Sequence, residues 1–110
     1  MITEARFWGR SKEWSSAVDI SICAEVARLN LVTMTAASKK VKAEDARHFT
    51  TLGGPVYYVA NRGGTNAFDF CDFGGNVIAN VPTGKVLTAT LADNSTANGT
   101  WRVRVKTPLT

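Results

Sequence analysis

From Pro55 to Lys106 the chain is interrupted at near-regular intervals by glycine, proline and asparagine, and this spacing restricts the fold more than any other feature. "PVYYVANR" is aromatic and β-branched and is followed by "GGTN"; "AFDFCDF" is followed by "GGN"; "VIANV" by "PTG"; "KVLTATLA" by "DNSTANGT", which leads into "WRVRVK". Runs of this length and composition, bounded by turn residues, read as strands. Five of them occupy less chain than two βα units require, so the expected class is all-β, as an antiparallel meander or Greek key.

Two further strands are expected upstream. Val18, Ile20, Ile22, Ala24 and Val26 alternate with Asp19, Ser21, Cys23 and Glu25, the period of a half-buried strand. "LNLVTMTA", starting at Leu29, is a second. About seven strands in all predict a small antiparallel β-sandwich or barrel. The charged, alanine-bearing stretch from Ser38 to Phe49 leaves two readings open, a short helix near 38–48 capped by Ser38 or a long loop.

Alternation also sorts side chains between faces. In the last strand Trp101, Val103 and Val105 share one face, and Arg102, Arg104 and Lys106 share the other. Leu87, Ala89 and Leu91 are expected to point inward, with Val86, Thr88 and Thr90 outward. The core expected from these assignments contains Tyr57 or Tyr58, Phe68, Phe70, Ile78, Leu87, Leu91, Trp101 and Val103.

The length of 110 residues suits one domain, expected at 17–110, preceded by an extended N-terminal arm at 1–16. The arm's "ARFWGRSKEW" has no period, and local structure offers its aromatic residues no burial. Aromatic and arginine side chains are the usual anchors of interfaces. Arg6, Phe7, Trp8, Arg10 and Trp14 are therefore candidate partner contacts, the other reading being that Trp8 and Trp14 cap the open end of the sandwich, and Arg102 and Arg104 on the basic face of the last strand join them. The net charge of +4 permits any acidic partner. The start of the chain is charged where an export signal would be apolar, so synthesis in the cytoplasm is expected. No apolar run approaches the roughly 18 residues of a membrane span.

The chemistry-bearing motifs reduce to structural readings. "DFGG" at Asp72–Gly75 has the letters of a kinase metal motif without the rest of a kinase, and between two strands it is turn chemistry. "NRGGTN" has no following helix to make a phosphate cradle. His48 lacks a patterned nucleophile or second histidine, and Cys23 and Cys71 read as small buried hydrophobes. Asp69 and Asp72 are too few oxygens for calcium. No enzyme activity, metal or cofactor is expected. The basic row of the last strand carries no interleaved aromatic residues, so nucleic acid is not the expected partner. Two matches to the glycosylation pattern, at Asn94 and Asn98, are better explained as residues of a long hairpin loop.

Asn61, Asp72, Gly75, Pro82, Gly84, Leu91, Asp93, Asn94, Ser95, Thr96, Gly99 and Trp101 form a spaced pattern. It comprises a strand ending in "N-x-G/S", a strand ending in "D-x-x-G", a strand with "x-P-x-G", and a closing "L-x-D-N-S-T-x-x-G-x-W". This pattern resembles a β module recurrent in virion proteins of tailed bacteriophages, and the likeness covers about the C-terminal half. The resemblance implies a structural virion protein, first of all a capsid decoration (cement) protein. It would sit as a homo-trimer on the capsid surface and bind the major capsid protein or other virion subunits. A neck, tail or fibre component is the alternative within the virion. A small carbohydrate- or nucleic-acid-binding β module is the alternative outside it.

Overall fold

In a computed structural model that describes residues 11–50, 52 and 55–107, nine strands form two sheets packed face to face. They are β1 (Ser11–Ser16), β2 (Ile20–Ser21), β3 (Leu29–Met34), β4 (Lys39–Lys42), β5 (Pro55–Asn61), β6 (Phe68–Cys71), β7 (Val77–Val81), β8 (Val86–Asp93) and β9 (Thr100–Lys106). One sheet has the order β1-β3-β5-β8-β9 and the other β2-β4-β6-β7. The all-β class expected from the punctuation is the class observed.

Strand direction corrects the antiparallel expectation. β1, β3 and β5 run parallel in one sheet, and β2, β4 and β6 run parallel in the other. Antiparallel pairing is confined to β5-β8, β8-β9 and β6-β7. The reason is that the chain crosses between sheets after each early strand, so every return to a sheet has the same direction. The same offset along the chain relates Leu29 to Tyr58 in one sheet and Lys39 to Phe68 in the other. Two successive coils of the chain thus stack as a structural repeat with no matching residues.

Three local expectations change with this path. The alternating run Val18–Val26 yields only the two-residue strand β2. After buried Ile22 the chain turns, with Val26 and Ala27 both donating to the Cys23 carbonyl, and Val18 and Val26 face solvent. The stretch 38–48 holds β4 and a single 3-10 turn at Ala46–His48, so neither a regular helix nor a long loop describes it. Ser11–Ser16, expected in the arm, is a strand hydrogen-bonded along its length to β3.

The core between the sheets contains Tyr57, Phe68, Phe70, Leu87, Leu91 and Trp101, with Ile78 and Val103 packed against it. Leu87, Ala89 and Leu91 point inward as the alternation requires. Val86, expected outward, does point away from this core but is only 3% exposed. It forms a second cluster with Leu29, Tyr58 and Ala60 on the opposite face of the five-stranded sheet, where Leu29–Tyr58 and Ala60–Val86 are neighbours in register. Alternation separates two faces but does not say that one must be polar.

One end of the sandwich is closed by Glu44–Phe49. Phe49 places its ring edge-on to Tyr57 and Trp101, with centroids 6.4 and 6.2 Å away, and Tyr57 stacks on Trp101 at 5.5 Å. Phe70 from the other sheet completes the cluster, edge-on to Tyr57 and Trp101. Such edge-on pairs contribute about 0.5–1.5 kcal/mol each beyond the area they bury.

The "DNSTANG" loop between β8 and β9 clamps this plug. Ala97 O accepts the Ala46 amide at 2.8 Å, and Asn94 Nδ2 donates to Phe49 O at 2.6 Å. Asn98 Oδ1 accepts the Gly74 amide at 2.8 Å, and its carbonyl accepts the Trp101 indole N–H at 3.0 Å. The loop shapes itself through Asp93, which accepts from Ser95 N and Oγ, and Thr96 Oγ1, which accepts from Gly99 N. Gly99 has φ +69°, and a Cβ there would lie 2.5 Å from Ala46 Cβ and 2.9 Å from Asp93 O.

Two glycine substitutions separate this clamp from ordinary turn chemistry. Gly75 also has positive φ but open space around it. Gly75→Ala should therefore cost about 1–2 kcal/mol of conformational strain, and Gly99→Ala about 3 kcal/mol or more through strain and overpacking together. Urea unfolding midpoints read the difference; equal shifts would contradict the tight contact at Ala46.

Candidate functional site

The residues marked as interface candidates do not converge. Arg6, Phe7, Trp8 and Arg10 lie outside the described residues. Trp14 is half-buried on β1, its indole N–H donating to Asn30 Oδ1 at 3.0 Å, with Lys12 Nζ 4.0 Å above the ring. Asn30 is 1% exposed and donates to Ala27 O and Arg28 O, so the Trp14 contact satisfies a buried amide. Arg102 and Arg104 project from β9, at the opposite end of the strand order, and away from the core side that Trp14 faces. Trp14 thus belongs to the packing of this chain, while the two arginines remain at the surface.

The densest polar chemistry surrounds Glu44, which no sequence pattern singled out. It follows β4, where Ala43 N is fixed by Cys71 O. Its Oε1 accepts from Ala24 N at 2.7 Å and from the Tyr57 hydroxyl at 2.8 Å. Tyr57 Oη in turn accepts the Glu44 amide at 3.3 Å, so the two residues close a reciprocal pair. Oε2 lies 3.7 Å from Cys23 Sγ and 3.4 Å from His48 Nδ1. Burial, reinforced by the Glu44 carboxylate, holds the Tyr57 phenol protonated well above its ordinary range.

These groups border a cleft of about 410 Å³ between β2, β4 and the β6–β7 turn, with the half-exposed Phe73 ring on its rim. Its chemistry is polar anchoring. The thiol of Cys23 and the ring of His48 both meet the same carboxylate oxygen, whereas nucleophilic catalysis would need the imidazole on the sulfur. Asp45 beside them caps the 3-10 turn and pairs with Arg47 at 2.6 Å, and the Arg47 hydrogen bonds hold its pKa down at about 2. Cys71 is fully buried, which pushes its thiol pKa up. Both cysteines are free. Among the described residues no set of three His, Cys, Asp or Glu side chains is arranged to hold a metal ion.

The other turn residues of the spaced pattern are also tied to the chain itself. Asn61 donates to Asn66 O and Val81 O and accepts from Gly63 N, which joins the ends of β5 and β7. Asp72 accepts from Asn76 N and Nδ2 across the β6–β7 turn. A second cleft of about 380 Å³, between the loops after β3 and β5, is lined by Ser38, Lys39, Thr65, Asn66, Asp69 and Asn80 among others. Ser38 has φ 59° there, the one described non-glycine residue in the left-handed region.

Tyr57→Phe should leave the core volume intact but remove both hydrogen bonds of the reciprocal pair with Glu44, costing about 1–3 kcal/mol in urea unfolding. An unchanged midpoint would show that the Tyr57–Glu44 pair contributes nothing to holding the plug.

No family model, no curated protein and no solved structure matches this chain.

Proposed function

We propose that this chain is a structural component of a tailed-phage virion, in the first place a decoration protein that binds the assembled head by protein–protein contact. The observation that carries this reading is the use made of the residues behind the resemblance. Asn61, Asp72, Asp93, Asn94, Thr96 and Gly99 hold loops and turns of the chain itself. A pattern used in this way favours a rigid body that presents a surface over one that works on a bound substrate.

A decoration protein binds the assembled lattice and not the loose subunit, so it stabilises the shell by mass action. That task needs a body that keeps its shape and a surface that adheres. The plugged sandwich supplies the first. The exposed cations of β9 and the aromatic and basic residues Arg6, Phe7, Trp8 and Arg10 supply chemistry for the second. Trimeric assembly on the capsid surface and the major capsid protein as partner belong to the same proposal.

Quantitative mass spectrometry of purified virions tests it. The expected ratio is about one copy per major capsid subunit, as lattice-wide binding requires. A ratio lower by about tenfold or more would move the chain to the neck or tail, and absence from virions would overturn the reading.

A further inference from the structure

We infer that the outward face of β8 and β9 is a docking surface for an acidic protein segment, one that presents carboxylates at two-residue intervals along an extended strand. This deepens the virion proposal and rests on it for the partner being a protein.

Arg102, Arg104 and Lys106 are all exposed on one face of β9. Strand geometry spaces successive members about 7 Å apart, the interval at which alternate side chains of a second strand would meet them. In register beside them on β8 stand Thr90 and Thr88, which bring hydroxyls but no charge, and Val86, which is buried in the second apolar cluster. The far end of the row is fixed by Lys85 Nζ, which donates to Thr107 Oγ1 at 2.6 Å.

Nothing among the described residues neutralises this row. The ion pairs Arg47–Asp45 and His48–Glu44 both lie at the plug. Asp93, opposite Thr100 at the start of β9, is the nearest acid in register and already accepts from Ser95. Asp19, Asp69 and Asp72 accept from Lys40 N, Asn80 Nδ2 and Asn76 N elsewhere in the fold. Glu13 lies on β1, four strand spacings or about 19 Å across the sheet, beyond a physiological screening length of about 8 Å.

Three cations held on a hydrogen-bonded sheet are positioned before any partner arrives. Guanidinium forks match carboxylates in two-point contacts, and such a row speeds encounter with an acidic surface. The face carries no aromatic side chain in β8 or β9, since Trp101 points into the core, so bases of a nucleic acid would find nothing to stack on.

The test measures binding of a fluorescein-labelled peptide of alternating Glu and Thr to the full chain by anisotropy at low salt, with single-stranded oligothymidine as competitor. One variant combines Arg102→Gln, Arg104→Gln and Lys106→Gln. Its control, of equal net charge, combines Lys39→Gln, Lys42→Gln and Arg62→Gln. The β9 variant should loosen peptide binding about tenfold or more and the control less than about twofold. If the triple variant does not fold, Arg104→Gln alone should still loosen binding about threefold.

Equal loosening in both variants would show charge without a site. Tighter binding of oligothymidine would make the face a nucleic-acid surface, and no measurable peptide binding would leave the row only as protection of an edge strand. Each of these results overturns the inference. Virion occupancy is read separately. A chain abundant on virions whose peptide binding ignores the β9 variant keeps the virion proposal and loses this surface, and the converse result does the reverse.

Discussion

The four-ring cluster of Phe49, Tyr57, Phe70 and Trp101 is the contact on which both sheets and their connections depend. Tyr57 and Trp101 come from one sheet, Phe70 from the other, and Phe49 from the segment that closes the end between them. Rings in such contact bury large area only when all four are in place. Phe49 has no strand to hold it, so its position depends on hydrogen bonds at both sides of the plug. Glu44 ties the start of the plug to Tyr57 and Ala24, and Ala97 and Asn94 tie its middle and end to the β8–β9 loop. The same loop reaches Gly74, so the β6–β7 turn is joined to the clamp.

This arrangement bears on function through what it leaves available. A loop rich in Asn, Ser, Thr and Gly could serve as a ligand-binding tip, yet here the side chains of Asp93, Asn94, Thr96 and Asn98 are all hydrogen-bonded within the chain. The Asn94 side chain donates to Phe49 O, so a glycan on that nitrogen would compete with the clamp. What remains at the surface includes the outward face of β9, where Arg102, Arg104 and Lys106 are all exposed. A rigid body with a patterned face is suited to recognising another surface.

Much of the fold was legible residue by residue. The turn residues mark the ends of β5 to β9, and the inward positions of β8 and β9 follow from alternation. The partners of those strands were not legible, because a glycine-rich turn can join neighbours in one sheet or carry the chain across to the other. "GGTN" does the second, while "DFGGN" does the first. Glu44 was hidden for a related reason. In "KAEDARH" it looks like one more solvated charge, and only the approach of Tyr57, far along the chain, gives its carboxylate a buried partner. Of the interface candidates, Trp14 could from the sequence meet a partner or cap the sandwich, and only Asn30 beside it decides for packing, whereas Arg102 and Arg104 are where period two puts them.

The measurement that bears most directly on this account is native-state hydrogen exchange at the Ala46 amide, which donates to Ala97 O across the clamp. If the plug is an integral part of the cooperative core, Ala46 should exchange only through the same opening as the amides of β5 and β8. Exchange at Ala46 within about tenfold of an unprotected amide, with β5 and β8 still protected, would contradict it.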